Sequence, residues 1–584
     1  MRKISLFSLL ILLASFSPAI SQSGGYHWFN PAESSFPVIG GQGWHKGLAE
    51  PYDRLPAKAQ KTVRPVVWHL STEGAGLMIR FRSNAPDIRV RYIVTERLNM
   101  PHMPSTGVSG VDLYALNKDG GWEWAAGKYS FGDTIEYHFS SLKHGYVREY
   151  HLYLPLYNHV KWMEIGAPDS SELTPLPVSP NKPVVIYGTS IAQGACASRP
   201  GKAWTALLGR ALHRPVINLA FSGNGRLEPE VVSLLTELDP QIYVVDCLPN
   251  MTGFPFDTTK ARLIKTVTTL RKAHPSVPVL IAEDADGNIN YLNENRAKAY
   301  NKVNQAGMEA FEEMKASGVE DIYYLSAQEI GFNSESTVEG THPNDEGMRS
   351  YATAYEAKIR EILHEPVGPY STTQPVKQYR SLTYDWNLRH LRELEMNKTN
   401  PPRIVFLGNS ITHYWGGEPS FKVHRGEDSW NQYFKPAGVR NLGFSWDRIE
   451  NVLWRVYHGE IDGYKTRQVL INIGTNNLAY NTDTEIIAGL KLLIQAVKER
   501  QPQAKVLLIG IYPRLDGEAR VAALNKKLIL LAGEENVNYA DPGVGLLDST
   551  GKHVVTSLFI DGKLHPNDKG YQIIARALKP YLVR

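Results

Sequence analysis

Residues 184–194 read VVIYGTSIAQG and residues 404–414 read IVFLGNSITHY, so the chain carries nearly the same short stretch twice. Each is a run of apolar, partly β-branched residues that ends in Gly-x-Ser-Ile. This pattern is typical of a buried parallel strand that delivers a serine into a tight turn before a helix. In open α/β sheets, binding crevices lie just outside the carboxyl ends of the strands. Ser190 and Ser410 are therefore predicted to lie in two active sites.

Matching elements follow both serines at similar distances. A strand-end turn comes 33 and 36 residues later, where residues 218–223 read NLAFSG and residues 441–446 read NLGFSW. A strand ending in an asparagine follows 60 and 66 residues after the serine, with Asn250 in one copy and Asn476 in the other. Elements in the same order at nearly the same spacing indicate an internal repeat.

A His-Pro-Asn-Asp turn closes each copy, with His342 152 residues after the first serine and His565 155 residues after the second. Serine is a weak nucleophile until a base removes its proton, and histidine is the usual base near neutral pH. An acidic residue stands shortly before each histidine, Glu339 in one copy and Asp561 in the other. Such an acid orients the imidazole and stabilises its protonated form. The pattern predicts acyl transfer by two serine–histidine–acid triads.

The tetrahedral intermediate of acyl transfer also needs hydrogen-bond donors for its oxyanion. The backbone N–H of each serine is one donor. A second is a backbone N–H in the strand-end turn, which belongs to Gly223 or Trp446. The third is the side-chain amide of Asn250 or Asn476. These four residues are the predicted oxyanion-hole residues.

With these blocks of Ser, Gly, Asn and His, both halves resemble the SGNH (GDSL-like) hydrolase family. Residues 110–114, Gly-Val-Asp-Leu-Tyr, resemble the signature of a domain found ahead of certain esterases of that family. The second half resembles the lipase/acylhydrolase branch, which includes acetylhydrolases and carbohydrate O-acetylesterases. The resemblance implies flavodoxin-like α/β/α domains, no cofactor or metal, and hydrolysis of small esters, often acetyl groups on polysaccharides.

The chain departs from the family pattern at several positions. Glu339 replaces the usual aspartate, and the third block of the first half keeps only Asn250. Trp446 stands where the family usually has a glycine, so we expect a shifted turn and a pocket shaped by the indole. Asp561 precedes His565 by four residues instead of three. If the aspartate does not reach the imidazole, a backbone carbonyl would orient it.

The fold class predicted from the alternation of strands and helices is multidomain. Residues 22–179 alternate apolar and polar residues between turns, as in a β-sandwich. Residues 180–364 and 403–584 alternate short apolar strands with helices, which predicts βαβ units around a parallel sheet. The family resemblance implies that both are flavodoxin-like α/β/α hydrolase domains. Residues 365–402 form a linker with one helix. Within the sandwich, Asp112 is expected to cap a turn and Tyr114 to pack in the core. Asp345 and Asp568 are expected to cap the helices that follow the two histidines.

Residues 1–21 have the features of a signal peptide: Arg2 and Lys3, an apolar run, and small residues before Gln22. The mature protein is therefore predicted to be secreted or periplasmic, with no membrane anchor. The net charge of +4 is spread over residues of both signs, and no basic tract points to nucleic acid. The two cysteines, Cys196 and Cys247, form either one disulfide or two buried thiols.

The leading hypothesis is an exported serine esterase with two active sites that removes O-acetyl or other short acyl groups from a polysaccharide or oligosaccharide. Export, the absence of a membrane anchor and the abundance of tyrosine (30, with 12 tryptophans) favour sugar over lipid. The aromatic residues also suit packing in a β-rich fold, which is the stronger interpretation of the composition alone. One alternative is a carbohydrate-binding protein with only one working esterase domain. A lipase or thioesterase is another alternative, although no long apolar lid segment is visible in the sequence. The sequence leaves the oligomeric state open.

Overall fold

The structure is a computed structural model that describes residues 25–288, 292–380 and 383–583. The predicted signal peptide at residues 1–21 lies outside the described residues. No helix within the described ranges combines the length and apolar character needed to cross a bilayer. The described chain folds into a strand-rich N-terminal region followed by two α/β regions with the same strand order.

The N-terminal region consists of two antiparallel sheets. One has the order β1-β10-β4-β8-β7 and the other the order β11-β3-β9-β5-β6, with β2 paired to β3. Their elements are β1 Tyr26–Phe29, β2 Ile39–Gly40, α1 Pro65–Ser71, β3 Met78–Ser83, β4 Asp87–Val94, α2 Ser105–Val108, β5 Asp112–Leu116, β6 Trp122–Ala125, β7 Lys128–Ser130, β8 Ile135–Ser140, β9 Arg148–Tyr153, β10 Val160–Pro168 and β11 Leu173–Pro175.

The two sheets share one hydrophobic core. Side chains of a strand point alternately to its two faces, and β3 is accordingly buried at every second residue. Ile79 and Phe81 of β3 belong to the same buried cluster as Ile88 and Val90 of β4, which lies in the other sheet. Alternating apolar residues of both sheets thus contribute to one buried cluster.

The first α/β region contains a five-stranded parallel sheet in the order β13-β12-β14-β15-β16. Numbered along this region, the order is 2-1-3-4-5, one of the two common orders of doubly wound sheets. Its elements are β12 Val184–Gly188, α3 Ser190–Gln193, α4 Trp204–Leu212, β13 Val216–Ala220, α5 Pro229–Leu235, β14 Ile242–Asp246, α6 Phe256–Ala273, β15 Val279–Ala282, α7 Glu294–Ala316, β16 Ile322–Leu325, α8 Ala327–Ile330 and α9 Asp345–Ile362.

The second α/β region repeats this order as β18-β17-β19-β20-β21. Its elements are α10 Trp386–Thr399, β17 Ile404–Gly408, α11 Ser410–His413, α12 Glu427–Ser429, a π-helical turn Trp430–Phe434, β18 Val439–Gly443, α13 Ile449–Tyr457, β19 Gln468–Asn472, α14 Asp483–Arg500, β20 Lys505–Ile509, α15 Glu518–Glu534, β21 Asn538–Ala540 and α16 Asp568–Leu578. All five residues of β12 and all five of β17 are buried, because helices cover both faces of each sheet. The two predicted serines therefore follow equivalent central strands.

Asp112 connects the N-terminal region to the first α/β region. Its Oδ2 accepts the backbone N–H of Gly201 at 3.0 Å and also contacts the Arg199 guanidinium. Its Oδ1 accepts the indole N–H of Trp124 at 2.6 Å. The expectation that Asp112 caps a turn is wrong, since its carboxylate holds two regions together. Tyr114 is buried, as expected.

Residues 365–402 also pack against their neighbours. Tyr379 donates its hydroxyl to Glu149 of β9 at 2.9 Å, and Arg82 of β3 donates to Asp385 at 2.7 Å. Arg214 of the first α/β region donates to the carbonyl of Tyr457 in the second at 2.7 Å. The three regions and the connecting segment thus contact one another through buried or half-buried polar groups.

Two candidate active sites

The first candidate site lies at the C-terminal end of β12. Ser190 is the first residue of α3, and its Oγ lies 2.8 Å from Nε2 of His342. Nδ1 of His342 lies 2.7 Å from Oε1 of Glu339, which also accepts the backbone N–H of His342 at 2.8 Å. The glutamate therefore reaches the imidazole despite its longer side chain. The three side chains form a serine–histidine–acid triad.

The second candidate site lies at the C-terminal end of β17. Oγ of Ser410 lies 3.0 Å from Nε2 of His565, and Nδ1 of His565 lies 2.9 Å from Oδ2 of Asp561. Oδ1 of Asp561 accepts three backbone N–H groups, those of Lys563, Leu564 and His565, at 2.8–3.2 Å. The longer spacing between Asp561 and His565 is absorbed by this turn. No backbone carbonyl is needed in place of the acid.

Both histidines are set to act as neutral bases. Burial lowers the pKa of His342 and of His565, and the neighbouring acids only partly offset this. Burial raises the pKa of the Glu339 and Asp561 carboxyls, but backbone N–H groups and the imidazoles outweigh it and leave each pKa below its ordinary value. Each site thus pairs a neutral imidazole with an ionised carboxylate, the state in which histidine accepts a proton.

The strand-end turn has the same backbone in both copies. Gly223 has a φ of 66° and Trp446 a φ of 68°, so both lie in the left-handed region. The expected shift of the turn by the tryptophan is therefore wrong. A side chain in this region costs about 1–2 kcal/mol relative to a right-handed conformation. The Trp446 side chain is 52% exposed, and its backbone N–H remains in the turn.

An asparagine ties this turn to the serine helix in each copy. The side-chain amide of Asn218 donates to the carbonyl of Ala192, two residues after Ser190, at 2.7 Å. That of Asn441 donates to the carbonyl of Thr412, two residues after Ser410, also at 2.7 Å. In both copies this hydrogen bond holds the serine helix next to the strand that leads into the turn.

Asn250 and Asn476 lie just beyond the third strand of each sheet, as predicted. Oδ1 of Asn250 accepts the backbone N–H of Gly225 at 3.1 Å, which leaves the amide hydrogens for another acceptor. Nδ2 of Asn476 donates one hydrogen to the carbonyl of Asp447 at 2.9 Å and has a second to offer. Both asparagines can therefore donate to an oxyanion, although their hydrogen bonds differ.

Models described as the GDSL-like Lipase/Acylhydrolase family match residues 181–360 and residues 406–573. The model of the Gly-x-Asp-Leu-Tyr domain, the N-terminus of SGNH-type esterases, matches residues 26–173. The chain belongs to the SGNH (GDSL-like) hydrolase family. The family assignment identifies it as an ester hydrolase.

Individual SGNH relatives match parts of the chain. A crystal structure from Bacteroides ovatus, described as a GDSL-like lipase, is 31% identical with a TM-score of 0.53, covering 58% of this chain and 98% of that one. The bovine (Bos taurus) platelet-activating factor acetylhydrolase IB subunit alpha1 is 29% identical over 37% of this chain and 90% of its own length. The bovine alpha2 subunit is 27% identical over 34% of this chain and 84% of its own length.

A buried arginine supports the strand-end turn of each SGNH domain. Arg54, from the N-terminal region, donates to the carbonyls of Asn218 and Ala220, both at 2.9 Å. Arg389 of α10 donates to the equivalent carbonyls of residues 441 and 443, at 2.8 and 2.9 Å. Sequence reasoning missed both arginines, because each lies outside the α/β pattern that it supports.

An aromatic ring flanks the histidine of each SGNH site. The ring of His102, from the N-terminal region, lies 5.6 Å from the ring of His342. The ring of Tyr414, four residues after Ser410, lies 5.6 Å from the ring of His565. The first site thus takes its flanking ring from another region, whereas the second supplies its own. His102 carried no sequence signal, since it lies in no motif.

Two further expectations concern residues near the SGNH motifs. The helices after the histidines are capped by Asn344 and Asn567, so the expectation that Asp345 and Asp568 cap them is wrong by one residue. Asp345 instead accepts the backbone N–H of Ser198 at 3.0 Å. Both cysteines, at positions 196 and 247, are buried free thiols, which decides the alternative left open by the sequence.

Proposed function

We propose that this chain is an exported serine esterase with two active sites, which removes O-acetyl or other short acyl groups from carbohydrate. The observation that carries the proposal is the presence of two complete triads at equivalent strand ends. Ser190 and Ser410 lie 2.8 and 3.0 Å from the imidazoles of His342 and His565.

The same mechanism is proposed for both sites. Serine Oγ attacks the ester carbonyl while histidine Nε2 takes its proton, and Glu339 or Asp561 stabilises the imidazolium. The histidine then passes this proton to the leaving alcohol. Water, activated by the same histidine, hydrolyses the acyl-enzyme.

The oxyanion receives three donors in each proposed site. These are the N–H of the serine, the N–H of Gly223 or Trp446, and the amide of Asn250 or Asn476. Loss of one such donor typically costs about 2.7–4 kcal/mol of transition-state stabilisation. Each asparagine is therefore expected to contribute to the rate without being the nucleophile or the base.

A short acyl group is supported by the relatives of this chain. The matching curated relatives are named acetylhydrolases. The acetyl group is therefore the first substrate to test.

Exposed aromatic rings support a carbohydrate as the leaving group. Trp446 lies in the oxyanion turn of the second site with half of its side chain exposed. Tyr480 is 59% exposed, and the Arg448 guanidinium lies 5.3 Å from the centre of its ring. Aromatic rings with one apolar face and exposed edges are common in binding surfaces. A flat indole suits the apolar face of a sugar ring.

The remaining parts of the proposal concern organisation and location. We interpret residues 22–179 as a β-sandwich domain, 180–364 and 403–584 as the two hydrolase domains, and 365–402 as the linker. The predicted signal peptide at residues 1–21 supports secretion or a periplasmic location. Acetylated polysaccharide or oligosaccharide is the proposed substrate of the exported protein.

Hydrolysis of p-nitrophenyl acetate tests the proposal directly. The wild-type protein is compared with Ser190→Ala, Ser410→Ala and the double variant. Each single variant should keep the activity of the other site, and the double variant should lose about 10⁴-fold or more. Unchanged turnover in the double variant would remove the esterase mechanism. Loss of all activity in one single variant would favour one working domain.

The substrate class is tested separately. Acetate release is measured from a panel of acetylated polysaccharides, and p-nitrophenyl acetate is compared with the octanoyl ester. Preference for the acetyl ester together with acetate release from a polysaccharide supports the proposal. Faster hydrolysis of the octanoyl ester, with no release from any polysaccharide, would favour a lipase or thioesterase.

A further inference from the structure

Three metal-ligating side chains converge at the first site. Within residues 25–288, 292–380 and 383–583, the one group of histidine, cysteine or acidic residues with metal-ligand spacing is formed by His102, Cys196 and His342. Their ligand atoms all lie within 4.8 Å of one another. Around a tetrahedral zinc ion, nitrogen and sulfur ligands lie roughly 3.5 Å apart. Closing this difference requires a movement of about 1 Å, within the reach of side-chain rotation.

We propose that His102, Cys196 and His342 form an inhibitory site for a thiophilic divalent cation such as Zn²⁺. Two imidazoles and one thiolate are a ligand set that suits zinc, which completes its tetrahedron with water. One of the ligands is the proposed base of the first active site. Occupation of the cation site therefore switches off catalysis at Ser190.

The catalytic acid favours this use of His342. Glu339 already binds Nδ1 of His342 at 2.7 Å, so Nε2 is the nitrogen available to a cation. A carboxylate on the second nitrogen of a metal-bound histidine orients the ring and increases its basicity. The Glu339–His342 pair can thus present Nε2 either to Ser190 or to a cation. Both uses require the same lone pair and exclude each other.

The backbone of Cys196 gives an independent reason to assign its side chain a function. Cys196 has a φ of 68°, in the left-handed region that side chains other than glycine rarely adopt. Gly416 stands six residues after the second serine and has a φ of 155°. A cysteine in a backbone conformation that favours glycine is strained, which supports a role for its thiol.

Binding of the cation displaces a proton from the thiol. In the binding step a metal–sulfur bond and two metal–nitrogen bonds form, water ligands leave the cation, and the S–H proton passes to solvent. This requirement selects cations that bind thiolate strongly, Zn²⁺ and Cd²⁺, over Mg²⁺ or Ca²⁺.

The second active site offers a different set of groups. Tyr414 lies beside His565 where His102 lies beside His342, and Gly416 occupies the position of Cys196. A tyrosine and a glycine do not provide this soft ligand set. The cation is therefore expected to inhibit one active site and to leave the other working.

Cadmium binding to the full chain tests the site without relying on catalysis. Cd²⁺ added to the wild-type protein should give the ultraviolet charge-transfer band of cadmium–thiolate, with one ion per chain. Cys196→Ser should abolish the band, and His102→Gln should weaken binding at least about tenfold. Cys247→Ala is the matched control, because that thiol is fully buried beside the carbonyl of Tyr187, and it should keep the band. No band in the wild type, or a band that persists in Cys196→Ser, would overturn the proposal.

Zinc inhibition of each site then tests the consequence. With p-nitrophenyl acetate, Ser410→Ala reports the first site and Ser190→Ala the second. Zn²⁺ should inhibit Ser410→Ala, and adding Cys196→Ser to that variant should raise the half-inhibitory concentration at least about tenfold. Equal inhibition of both single-site proteins would contradict the inference. If the first site proves inactive, the cadmium band still decides whether the cation binds.

Discussion

The two SGNH domains have the same catalytic geometry but complete it with different parts of the chain. In both, a serine follows a central strand, and an asparagine ties the serine helix to a left-handed turn. The first domain takes its supporting arginine, Arg54, and its flanking ring, His102, from the N-terminal region. The second takes Arg389 from α10 and Tyr414 from the C-terminal cap of its own serine helix, α11. The geometry of the triad is repeated, whereas the residues that surround it are not.

The acids show the clearest difference between the two triads. Asp561 accepts three backbone N–H groups with one oxygen and the imidazole with the other. Glu339 accepts one backbone N–H and the imidazole through the same oxygen. The aspartate is therefore fixed in its turn, while the longer glutamate is held by fewer bonds.

Replacement of Glu339 or Asp561 should give the largest loss of kcat among the variants that compare the two sites. Asp561→Asn and Glu339→Gln are each expected to lower kcat by about 10³–10⁴-fold, because the amide no longer stabilises the imidazolium. The loss should be greater at Asp561, whose turn also loses its charged acceptor. The measurement is p-nitrophenyl acetate hydrolysis, with each variant placed in a background that lacks the other nucleophile. A loss below tenfold in either would show that the acid does not assist its histidine.

The oxyanion asparagines should give the next largest effect. Asn250→Ala and Asn476→Ala are each expected to lower kcat by about 10²–10³-fold with little change in KM, since the donor acts on the transition state. The same single-site backgrounds are used. Asn218→Ala serves as a contrast, because it removes the tie behind the turn and should also lower stability. A rise in KM alone would place Asn250 or Asn476 in substrate binding.

Exchange of Gly223 and Trp446 tests whether both sites use the backbone N–H of this position as an oxyanion donor. Gly223→Trp should destabilise the protein by about 1–2 kcal/mol, because a side chain at a positive φ strains the backbone. A steric clash should add nothing at the Cβ, since no atom lies within 4 Å of a Cβ added at this position. Trp446→Gly removes that strain and should lower kcat on p-nitrophenyl acetate far less than Asn476→Ala does, because the N–H is retained. Thermal unfolding and kcat are the two readouts. A loss as large as that of Asn476→Ala would assign the indole itself a part in the reaction.

The smallest expected difference between the two sites lies in the pH dependence of kcat/KM. Burial lowers the pKa of both histidines, so kcat/KM should hold below the ordinary histidine pKa and fall only at more acidic pH. Arg425 contributes to the lowering at His565. Arg425→Gln, measured in Ser190→Ala, should therefore raise that pKa and move the acid limb to higher pH. The profile of Ser410→Ala is the control, and a limb unmoved by Arg425→Gln would contradict the assignment.

Much of both sites could be predicted from local patterns. Ser190, His342 and their counterparts lie in short motifs whose spacing repeats, so one copy supports the other. Asn250 was identified by its place in this series although its block departs from the family pattern. The alternation of strands and helices predicts the two parallel sheets, and the family resemblance implies their flavodoxin-like arrangement.

The remaining features depend on contacts between distant parts of the chain. Arg54 reaches a turn 164 residues away, and Asp112 bonds to Gly201, 89 residues away, so no local pattern reveals either contact. His102 becomes part of a site only when the N-terminal region packs beside it. The backbone of Trp446 was misjudged because the turn geometry overrides the side-chain preference for negative φ. Long-range packing, not residue type, decides these cases.

Covalent labelling of the nucleophiles tests the central claim of two active sites most directly. A fluorophosphonate probe reacts with activated serines, and intact mass spectrometry counts the adducts on the full chain. We expect two adducts on the wild type, one each on Ser190→Ala and Ser410→Ala, and none on the double variant. One adduct on the wild type, lost completely in one single variant, would contradict the claim and leave a single working site.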